Sequence, residues 1–130
     1  MKHTIILILG LLAAQIISYA QPITVGNAHT IAIAETDSMQ VKLQLDSIQL
    51  LVVRNIQVRY YDSITIVSSQ LNADQRKSRM QQLQEWRSAA LKSIMLPVQW
   101  NIHQEYMETR RLLIEQRIRE HREQRVNKTH

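Results

Sequence analysis

The sequence predicts an all-α protein, three long helices in an extended antiparallel hairpin-like bundle that dimerises. Beyond residue 20 the chain holds one glycine, Gly26, two prolines and no phenylalanine, whereas a β-sandwich needs repeated Gly, Pro, Asn and Asp turns. Three helix-start signatures stand roughly 25 residues apart, each opening a stretch free of glycine. Within two of those stretches apolar residues recur at three and four, the spacing of one helix face.

Residues 1–20, MKHTIILILGLLAAQIISYA, have a basic start at Lys2, an apolar run from Ile5 to Ile17 and a small-x-small end at Ser18-Tyr19-Ala20. That is the grammar of a secretory signal peptide, cleaved before Gln21. The run is 13 residues long, too short for a spanning helix of about 20, so no stable membrane span is expected after cleavage. The chain has no cysteine, which excludes a lipoprotein anchor, disulfides, thiolate metal sites and cysteine nucleophiles. Residues 21–37 carry neither caps nor a clear period and are expected to form a flexible lead-in. The helical domain is assigned to 38–125 and a frayed tail to 126–130.

The first helix starts in "LDSIQL", residues 45–50. Asp46 is an N-cap, Gln49 reaches back to the cap amide, and Leu45 and Leu50 form a hydrophobic staple. Alternation of Ile48, Leu50, Val52, Ile56, Val58 and Tyr60 would also suit a strand, but a strand of about 20 residues is several times the usual length. As a helix the segment has a stripe of Leu45, Val52, Ile56, Tyr60, Ile64 and Val67. The second helix starts at "LNADQR", with Asn72 as cap and Gln75 answering, although Arg76 stands where the staple needs an apolar group. Met80, Leu83, Ala90, Leu91 and Ile94 are its apolar positions. The third starts at "IMLPVQW": Pro97 is the first helical residue, Leu96 the N-cap, Gln99 the reciprocal capping residue, and Met95 with Trp100 the staple. Its apolar positions are Ile102, Tyr106, Leu113 and Ile114. Helices of about 21, 22 and 28 residues would span roughly 30 to 43 Å. A bundle one layer thick leaves a face uncovered, hence the expected homodimer.

Without Lys2 the chain carries 15 basic and 11 acidic side chains. The excess is local, since residues 110–128 hold seven Lys and Arg against three Glu. Nucleic acid is not a partner to expect for an exported chain. Anionic lipid, surface polysaccharide or acidic polypeptide fit the patch, and so does a solvated helix end kept soluble by its charge. Arg110, Arg111 and Arg117, with Leu113 and Ile114 nearby, are the partner-binding candidates.

"LDSIQ" and "MLPVQ" resemble the two L-T-x-x-Q motifs of the Spy/CpxP family of small exported helical proteins. Between them "ADQRKSRMQQLQEWRSAALKSI" is similar to that family's charged middle helix, whose Ala-Ala-Leu-Lys-like end is matched by Ala89, Ala90, Leu91 and Lys92. The resemblance covers residues 38–115 or so. Asp46 and Leu96 replace the motif threonines, which preserves the first side-chain cap and forfeits the second, and Met95 replaces a leucine. The resemblance implies a curved antiparallel dimer whose basic, partly apolar concave face holds unfolded polypeptide without nucleotide, in the periplasm. It also implies a metal reading, because some relatives bind transition metals in sensing roles.

His103, Met107 and Glu108 are the weak metal candidates; they lie within helical reach but lack a second imidazole or a thiolate. There is no nucleophile elbow and no phosphate loop, and the carboxylates alternate with Arg and Gln as on solvated helix faces. No catalytic residue and no cofactor are therefore assigned. Trp86 and Trp100 suit core or staple packing better than a binding face. The expected function is a periplasmic ATP-independent holdase-type chaperone or envelope-stress adaptor that binds unfolded or acidic polypeptides. The alternatives are a sensory or metal-responsive regulator acting on a membrane sensor, and a structural envelope protein.

Overall fold

The computed structural model describes residues 25–128; the expected signal peptide, residues 1–20, and the end of the expected tail, 129–130, lie outside them. The described residues form four helices, α1 (Val25–Leu43), α2 (Ser47–Gln70), α3 (Ala73–Ile94) and α4 (Pro97–Lys128), with no strand among them. The fold is all-α, and the segment from residue 47 to 70 that could have been read as a strand is a helix.

Two expectations are corrected. Residues 25–37, assigned to a flexible lead-in, form most of a fourth helix, α1. Its inward stripe is Ala28, Ala32, Thr36, Met39 and Leu43, each at most 5 % exposed. Ala and Thr bring the α1 backbone close to α2, and Thr36 Oγ1 donates to Ala32 O at 2.8 Å. A search for large apolar side chains passes over such a stripe. The expected fraying from Val126 is corrected as well, because α4 continues to Lys128, with Arg125 and Lys128 in its last turn where cations complement the helix dipole.

α1 packs along α2, α2 along α3, and α1 also meets α4. One core cluster joins Ala28 and Ala32 at the start of α1 to Tyr60, Tyr61, Ile64 and Val67 near the end of α2, and to Leu83 of α3. The other joins Met39, Leu43, Leu45, Val53, Leu91 and Met95, with Trp100 packed against it. Both expected staples therefore place one partner in this second cluster. All three expected helix starts are present. Asp46 with Gln49 and Asn72 with Gln75 form complete capping boxes, and Leu96 N donates to Gln99 Oε1 at 2.9 Å.

The inward face of α4 differs from the expected one. Leu113, Ile114 and Ile102 are exposed, while Gln99 and His103 are buried. Gln99 sets this register: pinned at the helix start, it aligns His103, Met107 and Arg110 beneath it at intervals of four and three, and the exposed Ile114 ends the row. On α2 the same spacing from Gln49 gives Val53, Gln57, Tyr60 and Ile64. The two helices repeat one spacing at an offset of 50 residues, with Gln57 the polar break on α2 and His103 and Arg110 the polar members on α4.

Candidate functional site

The motif residues meet at one end of the molecule. Gln49 Nε2 donates to Gln99 Oε1 at 2.8 Å and to Ile94 O, the last carbonyl of α3, at 3.0 Å. Gln99 Nε2 donates to Gln49 Oε1 at 3.2 Å and to Leu43 O, the last carbonyl of α1, at 3.1 Å. Each glutamine oxygen also accepts the N–H of its own cap residue, Asp46 or Leu96. Both side chains are buried, and every hydrogen-bonding position of both amides is used. The junction ties two helix ends to two helix starts and fixes where α4 leaves α3.

From that junction α3 and α4 enclose, with α1 and α2, a cleft of about 430 Å³. Ile31 and Glu35 come from α1, Gln57, Tyr60 and Tyr61 from α2, Arg87 from α3, and His103 and Arg110 from α4. A second, shallower groove shares Arg87, Leu91, His103, Met107 and Arg111 with it and runs between α3 and α4. Arg110 Nη1 lies 3.2 Å from Glu35 Oε1, and both side chains are mostly buried. Arg87 covers the Tyr60 ring with its guanidinium carbon 3.9 Å from the centroid. Lys42 Nζ stands 3.2 Å above the Tyr106 ring.

Burial governs the charges of the cleft. It pushes the Glu35 carboxyl up, with the positive charges of Arg87 and Lys42 opposing. It draws the Arg110 guanidinium down to about 10. The Tyr61 phenol is raised by burial and then by the negative charge of Glu35. His103 is held below its ordinary value by burial first, and by Arg87 and Lys42 next, so its ring is neutral at pH 7. The walls thus offer aromatic side chains, two ion pairs, one further cation and neutral hydrogen-bonding groups, an arrangement that holds ligands.

The structure separates the partner-binding candidates. Arg110, expected on the binding face, turns inward to Glu35. Arg111 points outward, bonded to Glu108 and Glu115, and Arg117 is exposed with Leu113 and Ile114. Arg110 and Arg111 therefore do not share a face, because consecutive helical residues diverge by about 100°. Of the metal candidates, His103 packs on Trp100 with ring centroids 5.6 Å apart and Met107 is half-buried. Glu108 is exposed and held by Arg111. Among the described residues no group of three or more His, Asp or Glu is placed to hold a metal ion, and no helix is long and apolar enough to cross a membrane. Glu35, Gln57, Tyr61 and Arg87 were not singled out by the sequence. The available signal was Gln57, a polar residue eight places after Gln49 on the same face of α2.

Comparison with protein-family models, curated proteins and solved structures finds no match to this chain.

Proposed function

We infer that the protein is a periplasmic, ATP-independent binder of unfolded polypeptide, a holdase or envelope-stress adaptor, working as a dimer of extended hairpin-like bundles. The observation that carries this reading is the outer half of α4. Leu112, Leu113, Ile114 and Ile118 are each 43 to 51 % exposed and alternate with arginines on a helix ten residues longer than α3. Such a surface attracts acidic segments at long range and offers apolar contact on close approach. The resemblance of LDSIQ and MLPVQ to the Spy/CpxP motifs supports the same class of activity.

The test is the light scattering of a chemically denatured client diluted into buffer with the mature chain. Suppression without nucleotide is expected, weakened when Leu112, Leu113 and Ile118 are replaced together by Gln while helical content stays unchanged. Clients that aggregate as fast with the parent protein as without it would overturn the reading.

A further inference from the structure

Gln57 carries the one buried side-chain polar atom among the described residues that lacks a partner. Its Nε2 donates to Met39 Sδ at 3.2 Å, while its Oε1 accepts nothing. The residue is 2 % exposed and lines the cleft between the four helices. An unpaired buried carbonyl destabilises a fold, and one that faces a cavity is satisfied by whatever donor enters it.

The same cleft has a cation to spare. Its carboxylates are committed, Glu35 to Arg110 and Glu115 to Arg111. Among the described residues Arg87 makes no ion pair; it lies over Tyr60 and hydrogen-bonds the Tyr61 phenol. These tyrosines follow Gln57 by three and four residues, one turn further along the same face of α2. Their rings meet edge to face at 5.1 Å.

Cation, apolar wall and buried acceptor line one cleft. We propose that this cleft binds a small aromatic carboxylate bearing an O–H or N–H donor. The carboxylate sits on Arg87, the ring lies against Leu91 and Met107, and the donor reaches Gln57 Oε1. A cleft of about 430 Å³ lies in the range of small-molecule sites. The cleft shares only Ile114 with the exposed row on α4, and neither Arg87 nor Gln57 belongs to that row, so it stands or falls apart from polypeptide binding.

The probes are hydroxynaphthoate and its analogue with methyl in place of hydroxyl, titrated into the mature protein by calorimetry or by Trp86 fluorescence. The parent should bind the hydroxyl compound about tenfold more tightly, because only that compound pairs the buried acceptor. Gln57→Leu removes the acceptor and should erase the preference, leaving the affinity of the methyl compound and the melting temperature no lower. Arg87→Gln should weaken both compounds equally, by at least fivefold. Equal affinity of the two compounds for the parent, failure of both to bind, or a preference that survives Gln57→Leu would each overturn the proposal. Client aggregation with Gln57→Leu should match the parent, which keeps the two functions distinguishable.

Discussion

Gln49 and Gln99, 50 residues apart, hold each other through two reciprocal amide hydrogen bonds of 2.8 and 3.2 Å. Each caps its own helix and ends another, so a change to either is felt at three helix termini. A capping residue alone contributes about 1 kcal/mol, and an orphaned buried carbonyl adds about 1–3 kcal/mol. Gln49→Ala and Gln99→Ala should each destabilise by about 2–4 kcal/mol. The exposed box provides the control: Gln75→Ala, which touches only Asn72, should lose about 1 kcal/mol or less. Urea unfolding of the three variants and of the Gln49/Gln99 double variant checks this, the double being less destabilised than the sum of the singles.

Gln44 follows the last residue of α1 with φ 51°, the one positive value among non-glycine residues described. The left-handed region costs a side chain about 1–2 kcal/mol that glycine avoids, while glycine gains some freedom in the unfolded chain. Gln44→Gly should therefore stabilise by about 0.5 kcal/mol, and Gln44→Val should destabilise by a larger amount. Chemical denaturation midpoints of the two variants should move in opposite directions.

Neighbouring arginines on α4 should behave differently. Arg110 is buried against Glu35, and Arg110→Met leaves that carboxylate in a place where charge is costly. A loss of about 2 kcal/mol is expected, between the surface and fully buried ranges. Replacing both, Glu35→Gln with Arg110→Met, should restore the parental stability or exceed it. Arg111→Gln, on an exposed residue, should leave the unfolding midpoint unchanged. An Arg111 variant less stable than the Arg110 variant would contradict the placement of both.

Stability should depend on pH through two opposed groups. His103 titrates below its ordinary 6.5 in the folded protein; as pH falls through 6.5 the unfolded chain takes up a proton that the folded one refuses, and stability is lost down to the folded value. Glu35 titrates above its ordinary 4.5; there the folded state binds the extra proton, and stability is gained as pH falls from the folded value to 4.5. Urea midpoints measured across this range should show a shallower acid loss in His103→Gln than in the parent. An unchanged profile would mean that His103 is solvated.

The helix starts were legible because a cap is a local signal: Asp46, Asn72 and Pro97 announce themselves within four residues. What escaped was tertiary in origin. Ala28, Ala32 and Thr36 look unremarkable until α2 lies against them. The phase of α4 follows from the hydrogen bonds of Gln99 to α1 and α2, so counting apolar residues favoured Leu113 where the structure turns Arg110 inward. Gln57 was invisible for a related reason, since a glutamine within a stripe gains meaning only when the groups around it are known.

The 50-residue separation of Gln49 and Gln99 also makes their junction a late closure in folding. α1 and α2 adjoin in sequence and can meet first, with Gln49 unanswered and the carbonyl of Leu43 open to water. The first hairpin can form early but cannot lock, and the final step waits for the stretch that carries Pro97 and Gln99. A chain cut at Gln70 would be the loose half of a structure whose closing piece is missing.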